Sequence, residues 1–317
     1  MSHELRAKSI LITGGAGFIG SHLCKALLDK GNKVICMDNF ITGSRQNIEP
    51  FSKNPDFKLV EHDISSPIEF EEDLDWVLHF ASLASPKAYL GYPIKTLKSG
   101  LLGTHNCLGI AREKNTKFML ASTSEIYGDP LVHPQPETYW GNVSCTGVRS
   151  CYDESKRGAE SLTYAYMREH KVDVRVVRIF NTYGPNMDSD DGRVVSNFIV
   201  QALQKKDLTI YGDGKQSRSF CYISDLIEGI LRIMDIDDNS PINLGNPDEF
   251  DITQLAEKVL ELTGSKSALK FFPLPEDDPK QRQPDISKAK ELLGWQPRVR
   301  LEEGLSKTID YFRERLK

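Results

Sequence analysis

Short apolar runs that end in glycine or polar residues alternate along this chain with longer stretches of helical spacing. The first run, Ser9-Ile10-Leu11-Ile12-Thr13, is continuous rather than alternating, the mark of a strand covered on both faces. Apolar positions at helical spacing then fill residues 18–30 until Gly31-Asn32 stops them. Further strands are predicted at 33–38, 57–60, 76–80, 118–121 and 174–180. A helical stretch at 93–114 separates the fourth strand from the fifth, and a helix carrying Tyr152 separates the fifth from the sixth.

Strands that alternate with helices in this way predict an α/β fold, a Rossmann-like doubly wound parallel sheet. After Asn181 the pattern changes. Tyr183-Gly184-Pro185 signals a turn, 188–192 is polar, and a helix at 194–204 leads to a short strand at 208–211. Residues 242–245 are expected to return to the main sheet, 252–262 to form a helix, 273–284 a Pro-rich loop, and 287–293 and 301–316 two last helices. The prediction is a sheet domain of residues 1–181 plus about 220–250. A smaller C-terminal lobe, about 182–219 and 251–317, is interleaved with it.

With 317 residues, 39% hydrophobic and 27% charged, the chain can bury a large core and reads as globular. A net charge of −5 gives no basic excess for nucleic acid, and no apolar run reaches the ~18 residues of a membrane span. The start of the chain is polar and unlike a signal peptide. The six cysteines are scattered with no Cys-x-x-Cys, so no metal site is expected. Cys24, Cys36 and Cys107 read as core thiols, and reduced thiols without a secretion signal point to a cytoplasmic setting.

Candidate chemistry begins where the first strand ends. Glycines at 14, 17 and 20 open the first helix. Gly14 suits the tight turn, Gly17 the close approach of backbone to a pyrophosphate, and Gly20 tight helix–strand packing. The amides at the helix start are then aimed at the anion. Asp38, ending the second strand, is placed for ribose hydroxyls and would repel a 2′-phosphate, which favours NAD over NADP. Asp63 ends the third strand, where it could meet the adenine amine. Tyr152 and Lys156, four residues apart, share one helix face, and an ammonium beside a phenol favours the phenolate, so the pair can act as a base.

Several blocks together resemble the extended short-chain dehydrogenase/reductase family over nearly the whole chain: 121–130 (Ala-Ser-Thr-Ser-Glu-Ile-Tyr-Gly-Asp-Pro), 151–157, 178–185, 191–198, 211–218 and 282–285. Within that family they look most like the UDP-glucuronate decarboxylases. One departure is Leu83, where decarboxylases commonly have proline.

The resemblance implies the following roles. Tyr152 would take the proton of the sugar 4-hydroxyl, Lys156 would hold the nicotinamide ribose and lower the phenol pKa, and Thr123 would hydrogen-bond the 4-oxygen. Glu125 would manage protons or water at C5, and Arg218 would orient the sugar carboxylate. The cofactor would be NAD, with further contacts from Phe18, Ile19, Asn39, Thr42, Ile64 and Ser82. The UDP-sugar substrate would be met by Ser85, Asn181, Arg193, Asn197, Tyr211 and Arg282. A 4-epimerase, a 4,6-dehydratase and a non-catalytic NAD-binding regulator share the scaffold. Ser124-Glu125 stands where dehydratases usually carry Asp-Glu, and regulators typically lose the Tyr or the Lys. The stretches 93–114 and 152–170 would pair across a two-fold axis as a four-helix bundle, giving a homodimer.

Overall fold

The structure, a computed structural model, describes residues 7–274 and 281–317. The first six residues and the 275–280 portion of the predicted Pro-rich loop lie outside the described residues. Seven parallel strands form the main sheet: β1 (Ser9–Thr13), β2 (Lys33–Asp38), β3 (Phe57–Glu61), β4 (Trp76–His79), β5 (Lys117–Thr123), β6 (Val174–Ile179) and β11 (Ile242–Leu244). Their order is β11-β6-β5-β4-β1-β2-β3. The chain winds outward from β1 in one direction and from β4 in the other, so a crevice opens beyond the C-terminal ends of these two strands.

Both faces of the sheet are covered, which accounts for the continuous apolar runs. Ile10 and Ile12 join one apolar layer with Cys36, Leu78 and Met119, whereas Leu11 joins the other with Met37, Val77 and Leu120. Residues 242–245 return to the sheet as predicted, with Ile242 beside Val177. Strand β5 runs two residues past its predicted end, which carries Thr123 to the C-terminal edge of the sheet.

Helix α1 (Phe18–Asp29) follows β1, and a short helix α2 (Arg45–Ile48) follows β2. A helix α3 (Pro86–Gly91) that the apolar pattern did not announce follows β4. The single helix expected at 93–114 is instead α4 (Pro93–Lys98), one π-turn (Ser99–Gly103) and α5 (Thr104–Glu113). The Thr104 hydroxyl donates to the Gly100 carbonyl at 2.6 Å inside that turn. A Cβ on Gly100 would lie 2.5 Å from the Ser155 Cβ, so glycine here lets the backbone press against α6 (Ser150–His170).

The smaller lobe is built from strands too short to show in the sequence. β7 (Thr182–Tyr183) pairs with β10 (Cys221–Tyr222), and β8 (Leu208–Tyr211) with β13 (Leu269–Phe272). β9 (Ser217–Ser219) lies between β12 (Glu249–Asp251) and β14 (Gln281–Arg282). Around them stand α7 (Val194–Leu203), α8 (Ile223–Met234), α9 (Ile252–Thr263), α10 (Ser287–Leu293) and α11 (Leu301–Arg315). Asp251 and Gln254 form a capping box at the start of α9, the Asp-x-x-Gln spacing visible in the sequence. Among the described residues no helix is long and apolar enough to cross a membrane, and no group of three or more His, Cys, Asp or Glu could hold a metal.

Candidate active site

The crevice beyond β1 and β4 is a cleft of about 1340 Å³ running between the sheet and the smaller lobe. Gly14, Gly17, Phe18, Ile19 and Gly20 line it at one end. Gly14 sits at φ +71°, and a Cβ there would lie 2.7 Å from the Ala81 backbone. Only glycine fits this left-handed turn where the loops after β1 and β4 meet. A Cβ on Gly20 would be 2.0 Å from the Gly14 carbonyl oxygen. Helix α1 opens without a side-chain cap and without an acidic residue in its first turn, so its first amides can serve an anion.

Asp38 is buried at the end of β2 and accepts the amides of Ala16 and Phe40, each at 2.9 Å. Burial pushes its carboxyl up, against the pull of those amides. Each carboxylate oxygen keeps a lone pair for a further donor such as a ribose hydroxyl. Asn39, Thr42, Ile64 and Ser82 also line this end. The residues fit a dinucleotide whose adenosine ribose has a free 2′-hydroxyl. Asp63 does not join them. Its carboxylate is taken by Lys95 and Ser65, which hold it down to about 2 against the effect of burial, while its neighbours His62 and Ile64 face the cleft. The Asp63 carboxylate thus has a partner 32 residues away in the chain.

If the glycine turn is as tight as these contacts make it, Gly20→Ala displaces the loop. The expected result is loss of NAD binding by at least about 100-fold, a cost of ~2.7 kcal/mol, read by calorimetric titration. An affinity within threefold of the unaltered chain would contradict the packing role of this glycine.

Beyond the glycine turn, Thr123, Glu125, Tyr152 and Lys156 line the floor of the cleft. The Lys156 ammonium donates to the Ala121 carbonyl at 2.9 Å and is buried. Burial lowers its pKa to about 8, with the Glu160 charge opposing, so it is protonated below that pH. Glu160 is in turn gripped by Arg178 through bonds of 3.0 and 2.8 Å, and it accepts the Ser122 hydroxyl at 2.5 Å. This buried pair ties α6 to β5 and β6 directly behind the lysine.

Tyr152 departs from expectation in one respect. Burial pushes its phenol up rather than down, and the hydrogen bond with Thr123 is what pulls it back. The Lys156 nitrogen stands 6.0 Å from the ring centroid and donates to the Ala121 carbonyl.

Glu125 lies between two guanidinium groups. Arg149 Nη2 donates to its Oε2 at 2.5 Å, and Arg282 Nη1 to its Oε1 at 3.0 Å. Burial would raise this carboxyl, but Arg282 and Arg149 hold it down to about 2. Arg282 was expected to contact the nucleotide. It lines the cleft although only 2% exposed, and it also donates to the Ser124 hydroxyl at 2.9 Å and the Gly128 carbonyl at 2.8 Å. These bonds hold the Thr123–Gly128 turn to β14, which pairs with β9.

Arg218, on β9, donates to the Ser217 carbonyl at 2.8 Å and lines the cleft. Ser85, Asn181, Arg193, Asn197 and Tyr211 line it too. Arg193 caps the start of α7 and pairs with Asp191 at 3.1 Å. Leu83, the departure from proline, is buried in the loop after β4 and lines the same cleft.

Two residues escaped the sequence reading. The Tyr89 ring stacks on Tyr152 with centroids 5.2 Å apart and planes 10° from parallel, and its hydroxyl accepts Arg149 Nη1 at 2.8 Å. Neither residue belongs to a spacing that would announce it; Arg149 stands only as a basic residue just before the Tyr152 helix.

Comparison with known proteins agrees with this geometry. The family model described as GDP-mannose 4,6 dehydratase matches residues 11–308. UDP-glucuronic acid decarboxylase 5 of Arabidopsis thaliana is 53% identical over 97% of this chain and 90% of its own length. UDP-glucuronic acid decarboxylase 1 of Xenopus tropicalis is 53% identical over 99% of this chain and 74% of its own. Among solved structures, UDP-glucuronic acid 4-epimerase from Bacillus cereus, in complex with UDP-glucuronic acid and NAD, superposes with a TM-score of 0.87. That alignment has 30% identity and covers 96% of this chain and 99% of the epimerase. The chain belongs to the GDP-mannose 4,6 dehydratase-like family of extended short-chain dehydrogenase/reductases, alongside the UDP-glucuronic acid decarboxylases.

Proposed function

We propose that this protein is a carboxy-lyase that converts UDP-glucuronate to UDP-xylose with NAD regenerated in each cycle. The observation that carries the reading is Glu125, kept ionised between Arg149 and Arg282 in the same cleft as Thr123, Tyr152, Lys156 and Arg218. Relatives named UDP-glucuronic acid decarboxylase at 53% identity support it. The glycine turn and Asp38 hold NAD, which supplies a reversible hydride acceptor for the sugar's C4.

The protein's own groups do the rest. Tyr152 takes the proton of the 4-hydroxyl, and Thr123 hydrogen-bonds the same oxygen. A ketone at C4 is β to the C6 carboxylate, so carbon dioxide leaves as its bonding electrons pass toward the 4-oxygen. Tyr152 and Thr123 stabilise the charge that develops there. Arg218 orients the carboxylate before it departs. Glu125, held as a carboxylate by Arg282 and Arg149, orients the water that delivers a proton to C5. Lys156 holds the nicotinamide ribose.

Residues 1–181 with about 220–250 form the NAD-binding part, and about 182–219 with 251–317 the nucleotide-sugar lobe. Ser85, Asn181, Arg193, Asn197 and Tyr211 contact the nucleotide sugar. We place the enzyme in the cytoplasm as a homodimer. The exposed Ile94, Leu97 and Leu102 along 93–114 supply an apolar face for a four-helix bundle with 152–170.

Purified protein given UDP-glucuronate and catalytic NAD is expected to release carbon dioxide and UDP-xylose. UDP-galacturonate as the product would make the chain a 4-epimerase, the activity of the Bacillus cereus neighbour. No turnover at all would leave an NAD-binding regulator.

A further inference from the structure

Resting on the decarboxylase reading, we propose that Arg149 is a positioning residue of this site. It bridges the Glu125 carboxylate to the Tyr89 phenol and so locks the ring that stacks on Tyr152. The guanidinium spends one arm on each partner, Nη2 at 2.5 Å from Glu125 Oε2 and Nη1 at 2.8 Å from the Tyr89 hydroxyl. Its Nε lies 4.0 Å from Asp153 Oδ2, and its carbon sits 5.6 Å from the Tyr89 ring centroid. All four side chains are largely buried, so the bridge is shielded from salt and water. A fork with two parallel donors fixes direction as well as charge, which a lysine cannot do.

The geometry explains how three residues from different elements stay in register. Glu125 comes from the turn after β5, Tyr152 from the first turn of α6, and Tyr89 from α3. Tyr89 stacks face to face on Tyr152. The bridge holds the Tyr89 hydroxyl, and its loss lets α3 shift the plane on which Tyr152 rests. The charged and titratable groups facing Glu125 are Arg149 and Asp153 on the α6 side, Arg282 from β14 and Arg218 from β9. Tyr89 and Tyr152 face it from α3 and α6. Asp153 is raised to about 7 by burial and the Glu125 charge, so Arg149 serves one carboxylate that is ionised and one that is half-protonated near neutrality.

The test combines kinetics with NMR titration of ¹³C-carboxyl glutamate, the Glu125 signal being assigned by its loss in Glu125→Gln. In Arg149→Met, with circular dichroism unchanged, the Glu125 midpoint is expected to rise by about 1 to 3 pH units. In the same variant kcat is expected to fall about 100-fold while KM for UDP-glucuronate stays within threefold. Arg149→Lys should restore the Glu125 midpoint but not kcat, because the second arm to Tyr89 is missing. Tyr89→Phe, which keeps the ring and loses the acceptor, should lower kcat by about tenfold. The proposal is overturned if Glu125 titrates in Arg149→Met as in the unaltered chain. It is equally overturned if Arg149→Lys and Tyr89→Phe both turn over at the unaltered rate, or if the loss lies in KM alone. Should the unaltered protein prove not to decarboxylate, the reading of function fails, and the Glu125 titration still decides whether Arg149 holds that carboxylate.

Discussion

Tyr152→Phe lowers kcat for UDP-glucuronate by about 10³-fold, within the range that general acid–base groups supply, and leaves NAD and substrate affinities within threefold. The variant keeps the ring that stacks on Tyr89 and removes one oxygen, so packing is preserved and only proton transfer is lost. The size of the effect follows from burial. The phenol stands in a site that raises its pKa, with Thr123 as the partner that lowers it. Only the phenolate can take the 4-hydroxyl proton, so the groups that favour the phenolate, Thr123 among them, act on this step. Stopped assays for UDP-xylose and calorimetric titration check both halves. A kcat within tenfold of the unaltered chain would remove Tyr152 from the chemistry.

Glu125 carries the second large effect, on stability as well as rate. Glu125→Ala removes the carboxylate between Arg149 and the almost fully buried Arg282, leaving Asp153 at 4.0 Å from Arg149 as the neighbouring carboxyl. Breaking a buried pair in this way costs about 3–5 kcal/mol, and the partial exposure of Glu125 and Arg149 places the expected value at the lower end, about 3. Glu125→Gln keeps one oxygen that accepts from one guanidinium, turns an NH2 toward the other, and lowers kcat by about 100-fold because the carboxylate that orients water is gone. The sign with pH is fixed by the same contacts. A carboxyl held at about 2 in the fold, against an ordinary value near 4.3, contributes stability above the ordinary value and loses it as pH falls through about 2. Urea denaturation of the unaltered chain and Glu125→Ala, compared at pH 7 and pH 3, reads this contribution directly. Equal midpoints at pH 7 would mean that the two arginines do not depend on Glu125.

The sheet and the glycine turn were legible because their signals are local. An apolar run covered on both faces, a glycine turn opening a helix and an acid ending the next strand each occupy a few consecutive residues. The Tyr152–Lys156 pair was legible for the same reason, since helix geometry alone sets it on one face. What holds the cleft together was not legible, because its partners are far apart in the chain. Arg282 meets Glu125 across 157 residues and Tyr89 meets Arg149 across 60. Strands of two or three residues such as β14 exist only through the strand they dock against. The ion pair of Asp63 with Lys95 on α4 was hidden for the same reason, since the two stand 32 residues apart. The π-turn at Ser99–Gly103 went unseen because helical spacing in the sequence does not record how closely Gly100 must approach α6.

The sharpest measurement follows UDP-glucuronate labelled with ¹³C at every sugar carbon through a reaction in D₂O by NMR. The account predicts one labelled carbon appearing as carbon dioxide or bicarbonate, and UDP-xylose carrying five labelled carbons with a single deuterium at C5. A product that keeps all six labelled carbons, or a pentose whose C5 has taken up no deuterium, would contradict it.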